Sequence, residues 1–142
     1  MREVNVKEVE ELVRELCIKA NLYLPEDMES CIKAGREREE SVVGKNVFDD
    51  IIENINVART ETIPICQDTG MAVIFMEVGQ DVHFVGGSLN EALKNGVSRG
   101  YIDGRLRCSI VGDPLERVNT GDNTPPVVHL KIVDGDKVHI MV

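Results

Sequence analysis

Cys66, Gln67, Asp68 and Thr69 set a thiol, a carboxamide, a carboxylate and a hydroxyl on four consecutive residues between Pro64 and Gly70. Pro64 biases Ile63 toward an extended backbone, and Gly70 admits tight geometry just ahead of a strand. Loops braced by a rigid strand are where ligands and catalytic groups concentrate. The chemistry open to such a set is ligation by the thiolate, proton transfer by the carboxylate and hydrogen bonding by the amide. The plainer reading makes Cys66 a small buried hydrophobe and Asp68 a turn former, because free cysteines are usually buried and inert.

Arg107 by itself reads as an ordinary surface residue of an edge strand. Arg105 shares its face if that strand is regular, since residues two apart point the same way. Ser88 follows Gly86 and Gly87 at a helix start where an anion could bind, although capping alone accounts for it. Residues 119–124, dense in turn formers, suit an anion nest or a loop with satisfied side chains. His83, His129 and His139 share no spacing and read as partly exposed strand residues.

In order along the chain, these segments resemble the iron–sulfur-dependent (class I) fumarate hydratase and L(+)-tartrate dehydratase alpha subunit family. The resemblance rests on five landmarks. They are Cys66-Gln67-Asp68-Thr69-Gly70, then Gly86-Gly87, then Leu106-Arg107-Cys108-Ser109. Asp113-Pro114-Leu115-Glu116-Arg117 and Asn119-Thr120-Gly121-Asp122-Asn123-Thr124-Pro125 complete the set. The first sixty residues add no motif.

The resemblance implies a 4Fe–4S cluster held by three cysteines, with one iron open to substrate. Cys66 matches the first ligand; the other two, and a glycine-rich lysine-containing loop, are expected outside this chain. Cys17, Cys31 and Cys108 match no ligand position, and Cys108 reads as a packed strand cysteine. The implied activity is the reversible hydration of fumarate to malate, with the cluster as Lewis acid. Asp68 then serves as the base, Gln67 hydrogen-bonds the substrate and Arg107 clamps a substrate carboxylate. Tartrate dehydration to oxaloacetate is the alternative within the same class. A non-catalytic assembly or binding fragment without a complete cluster site is the alternative from another class. The isolated chain is expected to be inactive. Its implied partners are the rest of an alpha subunit and a beta subunit or C-terminal domain, in a homo- or hetero-oligomer.

The elements that must position these groups form an α+β pattern. Residues 1–62 read as a helical block. Residues 63–142 read as a mixed sheet with a crossing helix and a C-terminal β-hairpin, and they carry the 66–70 loop. Asn5 with Glu8 resembles a capping box ahead of Val6, Val9, Val13, Leu16 and Ala20 at helical spacing. Pro25 suits the first turn of a second helix carrying Met28, Cys31 and Ile32. After Gly44, Asn46 can cap a third helix whose buried stripe is Phe48, Ile51, Ile52, Ile55 and Ala58. Residues 71–78 read as a buried strand, and Ser88 with Glu91 as a capping box opening a helix to about Tyr101. Residues 105–111 look strand-like. Residues 113–126 form a loop long enough to suggest a function. Residues 127–133 and 137–142 flank the turn at 134–136 as the expected hairpin.

Bulk properties narrow the classes further. With 142 residues and 42% hydrophobic content the chain can bury a core, built from aliphatic side chains because there is no Trp and only 4% of residues are aromatic. A net charge of −9 repels phosphate backbones and anionic lipid, so nucleic-acid and membrane partners are not expected. No apolar run approaches the ~20 residues of a spanning helix, and the acidic start is unlike a secretion signal. The four cysteines include no Cys-x-x-Cys pair, which favours reduced thiols and a cytoplasmic location. The sequence closes on Val138, Ile140 and Val142 alternating with His139 and Met141, an ending that a cut through a longer polypeptide would give.

Overall fold

The computed structural model describes residues 1–142. Its elements run β1 (Arg2–Asn5), α1 (Val6–Leu22), α2 (Glu26–Arg38), α3 (Val42–Glu61), β2 (Val73–Gly79), β3 (Val82–Val85), α4 (Leu89–Asp103), β4 (Val127–Val133) and β5 (Val138–Met141), the expected α+β class. Two compact units are present. One comprises Met1–Lys19 with Asp68–Val142, and the other Ala20–Gln67. No helix is long and apolar enough to cross a membrane.

The first unit is organised by β2. Ile74, Met76 and Val78 alternate along it and are buried, joining Val9, Val13 and Cys17 of α1 and Leu93, Val97 and Tyr101 of α4 in one core. Burying each such aliphatic side chain stabilises by about 1.5–3 kcal/mol. Positions 6, 9, 13 and 17 form the inward stripe of α1, so Cys17 occupies the core line while Leu16 is half-buried and Ala20 exposed. α1 and α4 touch backbone to backbone at Gly96 and Gly100. A β-carbon there would lie 2.7 Å from the Glu10 carbonyl oxygen and 2.8 Å from the Cys17 β-carbon. Arg14 closes the same contact with a 2.6 Å ion pair to Asp103.

The strand at residues 71–78 is expected to be buried throughout, yet Phe75 is 51% exposed. The core elements cover one face only. On the other face Phe75 stacks on His129, ring centroids 4.9 Å apart, and Lys131 pairs with Glu77. β2 also lies between the two C-terminal strands, in the order β4-β2-β5, parallel to β4 and antiparallel to β5. The turn at 134–136 is present, but each strand hydrogen-bonds β2 and not its sequence neighbour. The connection crosses the end of β2, where Gly79 leaves room. A β-carbon at Gly79 would lie 2.3 Å from the Gly135 carbonyl oxygen. β1, absent from the sequence expectation, pairs in parallel with β3.

Residues 105–111 hold no strand; an isolated bridge joins Val111 to Asn119. The reason is the end of α4. Arg105 adopts φ 52°, and the Leu106 amide donates back to the Tyr101 carbonyl, the left-handed closure typical of helix C-termini. Arg105 and Arg107 therefore do not share a strand face.

In the second unit, α2 starts behind Pro25, as its missing N–H favours. α3 is capped by Ser41, which accepts from the Gly44 amide, so Gly44 lies inside the helix and Asn46 is not its cap. The Glu39 side chain packs over Gly44 and accepts from the Ser41 amide at 2.9 Å. Of the expected α3 stripe only Ile55 and Ala58 are buried.

Candidate functional site

Cys66 and Gln67 close the helical unit in an exposed, irregular segment after α3. Thr62 ends α3 in the left-handed region at φ 55°, turning the chain out of the helix. The peptide ahead of Cys66 is then held at both its polar groups. The Ile65 amide donates to the Asn21 carbonyl at 2.9 Å, and its carbonyl accepts from Asn54 Nδ2 at 2.8 Å. Cys66 is exposed, as is Cys31, whereas Cys17 is buried and Cys108 half-buried.

Asp68 opens the sheet unit. Its Oδ1 accepts from the Gly70 amide at 3.2 Å, a local turn that Gly70 completes at φ 62°. Thr69 Oγ1 donates to the Arg107 carbonyl at 3.0 Å, and the Tyr101 hydroxyl donates to the Thr69 carbonyl at 2.9 Å. The Thr69 side chain thus ties the residue after Asp68 to the backbone of Arg107. The Asp68 and Arg107 side chains are exposed.

The 113–126 loop adds to the sheet-unit part of this arrangement, and several of its polar side chains are engaged. Asn119 Nδ2 donates to the Cys108 carbonyl, and its Oδ1 accepts from the Gly121 amide. Asn123 is fully buried. Its Oδ1 accepts from the Ser109 and Ile110 amides at 2.7 and 3.1 Å, and its Nδ2 donates to the Gly70 carbonyl at 3.0 Å. Sequence reasoning treated residues 119–124 collectively and missed both Asn123 and the Tyr101 hydroxyl. The available signal was the preference of Asn for the left-handed backbone, which Asn123 adopts at φ 59°.

Electrostatics distinguish the cysteines and the loop acid. Burial pushes the Cys17 thiol up to about 11, and burial together with the Asp122 charge raises that of Cys108. Burial also pushes the Asp122 carboxyl upward. Hydrogen bonds from the Thr124 hydroxyl and amide, and from Ser98 and Thr120, outweigh it and leave the carboxyl below its usual value. No three His, Cys, Asp or Glu side chains gather as a metal-binding group. Ser88 uses its hydroxyl to cap α4. His129 stacks on Phe75, and His139 stands opposite Glu77 in the β2–β5 ladder.

Comparison with known proteins bears on this arrangement. The family model described as Fumarate hydratase (Fumerase) matches residues 10–142. The putative L(+)-tartrate dehydratase subunit alpha of Methanocaldococcus jannaschii is 33% identical over 82% of this chain and 42% of its own length. The L(+)-tartrate dehydratase subunit alpha of Escherichia coli O157:H7 is 30% identical over 96% of this chain and 46% of its own. The aerobic class I fumarate hydratase of Escherichia coli K12 is 39% identical over 72% of this chain and 19% of its own. The chain therefore spans less than half the length of these relatives.

Proposed function

Because the chain belongs to the fumarate hydratase family, we propose that it is part of a hydro-lyase that interconverts fumarate and malate together with further polypeptide. The observation that carries this reading is the family match running through a 66–70 loop whose Thr69 is tied to Arg107. The further polypeptide is the remainder of an alpha-type subunit and a beta subunit or C-terminal domain, since relatives named as alpha subunits are about twice as long as the aligned segment.

In this reading Cys66 would be the one ligand this chain contributes to a 4Fe–4S cluster. Cys66 offers an exposed thiol on a tethered backbone, whereas Cys17 is buried with its thiol held protonated. The other two cysteines would come from outside these 142 residues. A bound cluster supplies Lewis-acid polarisation of the substrate hydroxyl and one carboxylate. In dehydration, the Asp68 carboxylate takes the proton from the carbon beside the distal carboxylate. The C–H electron pair becomes the new double bond as the hydroxyl leaves the neighbouring carbon, and proton and hydroxyl together account for one water. Hydration reverses these transfers. Arg107 holds a substrate carboxylate through paired N–H donors, and Gln67 hydrogen-bonds the substrate.

The test uses the assembled enzyme. Asp68→Asn should lower turnover by ~10²–10⁴-fold with iron and sulfide content and KM little changed. Arg107→Ala should weaken binding and turnover together. Cluster loss in Asp68→Asn would make Asp68 a brace of the loop, and near-normal turnover would remove it from the reaction. Tartrate is the second reading, favoured by the longer alignments to tartrate dehydratase alpha subunits. Oxaloacetate formation from L(+)-tartrate, exceeding fumarate hydration by the same preparation, would select it. An assembly with full cluster content and neither activity would leave the non-catalytic reading.

A further inference from the structure

The buried Asn123 has a place in this architecture that its sequence position does not announce. Gly70, which it contacts, lies two residues after Asp68; Ser109, which it also contacts, lies two residues after Arg107. A single carboxamide thus spans the segments that carry the proposed base and the proposed carboxylate clamp. Its oxygen accepts two amide protons from one segment, and its nitrogen donates to a carbonyl of the other. We propose that Asn123 is a positioning residue that latches the 68–70 loop to the 107–110 segment and so sets the separation of Asp68 from Arg107. The assignment of roles to Asp68 and Arg107 rests on the reading above.

Three features make the latch specific to this side chain. It needs a donor and an acceptor on separate atoms of one short planar group, which ionised Asp, Leu and Ser do not offer. It needs the left-handed backbone, which Asn tolerates better than other residues with a β-carbon. It also needs fixed flanks. Asp122 Oδ1 accepts from the Thr124 amide at 3.1 Å and hydroxyl at 2.7 Å, and the Thr120 amide donates to the Ile110 carbonyl at 2.9 Å. A buried carboxamide with both ends engaged is costly to disturb, because each group left unpaired keeps its desolvation penalty. Geometry is what it controls: a displacement of about 1 Å between reacting groups can cost ~10²-fold in rate.

The experiment has one readout on the chain and one on the assembled enzyme. In the unaltered chain, NMR should show the Asn123 side-chain amide protons exchanging slowly and in contact with Gly70. Asn123→Gly removes the side chain without backbone strain. It should speed amide exchange at Ser109 and Ile110 by tenfold or more, while Met76 in β2 changes less than twofold. In the assembly it should lower kcat by ~10–100-fold with KM changed less than threefold. Asn123→Asp keeps the acceptor but loses the donor to Gly70. It should preserve the protection of Ser109 and Ile110 yet fail to restore kcat at neutral pH, with partial recovery at lower pH where the carboxyl regains a proton to donate. Rapid exchange of the Asn123 amide in the unaltered chain, a uniform exchange increase across the unit, or full kcat in Asn123→Asp would each overturn the latch. If the unaltered assembly neither hydrates fumarate nor dehydrates L(+)-tartrate, the functional reading fails while the exchange data still judge the latch.

Discussion

In α2 no side chain is buried and in α3 only Ile55 and Ala58 are, whereas α4 alone buries Ala92, Leu93, Val97 and Tyr101 together with two glycines packed on α1. The helical unit buries few side chains and carries ion pairs at least partly open to solvent. Glu29 meets both Lys33 and Arg59, and Arg36 meets Asp49. The sheet unit has ion pairs of its own, Arg14 with Asp103 and Arg99 with Glu10 and Glu11, and adds to them an aliphatic core and carboxamide and hydroxyl contacts that tie its loops. Apolar burial is not weakened by charge screening, while exposed ion pairs are screened and contribute little each. The chain boundary between these two regimes falls between Gln67 and Asp68. The proposed cluster ligand and the proposed base therefore belong to regions stabilised in different ways, and perturbations should separate them.

The largest difference should come from the core. Leu93→Ala, at a site 1% exposed, should destabilise by about 2–5 kcal/mol, whereas Met28→Ala, at a site 51% exposed, should stay within about 0.5 kcal/mol. Urea denaturation followed by circular dichroism measures both, and equal costs would erase the contrast.

Alkali offers a second, smaller separation. The Cys17 thiol is raised in the folded state from 9.0 to about 11, so its contribution is intact below pH 9 and is lost as pH climbs toward 11. The expected loss of stability is on the order of 2–3 kcal/mol across that window, and Cys17→Ala should flatten it. A wild-type stability that stays level from pH 9 to 11 would contradict the burial of this thiol. Alkylation at pH 8 checks the same point. Cys31 and Cys66 should react in the native chain, Cys108 more slowly, and Cys17 only on unfolding.

The smallest effect concerns the ion pairs. The Lys33 and Arg59 hydrogen bonds lower the Glu29 carboxyl, and the Arg36 bond lowers that of Asp49. Their stabilisation is present above the ordinary values of 4.5 and 3.8, and is lost as pH falls through the depressed folded values. Amide exchange in α2 should therefore quicken in 1 M salt at neutral pH, and again on acidification below pH 4, while α4 amides change less in salt, because that helix's buried face holds when its pairs to Arg14, Glu10 and Glu11 are screened. Equal salt sensitivity of the two helices would blur the distinction.

Local chemistry wrote much of the fold into the chain. Pro25 and Ser88 begin helices where their backbone and side-chain preferences dictate, and the continuous apolar run at 71–78 announces a strand, though not which of its faces is covered. These features were legible because each depends on residues within one or two turns of itself. The family landmarks from Cys66 to Pro125 were legible for the same reason, as contiguous residue types. Other features depended on partners far along the chain. Insertion of β2 between β4 and β5 requires Gly79 to admit a turn more than fifty residues later, and alternation cannot say which strands become neighbours. Residues 105–111 look extended by composition, but the closure of α4 at Arg105 claims them first. Asn123 reads as one turn former among several, because its burial and its three hydrogen bonds exist only once Gly70, Ser109 and Ile110 have been folded around it. The sequence by itself determined which chemical groups are available and where α1, α2 and α4 begin. Which strand pairs with which, and which polar side chain joins Asp68's loop to Arg107's, was decided by contacts that form only in three dimensions.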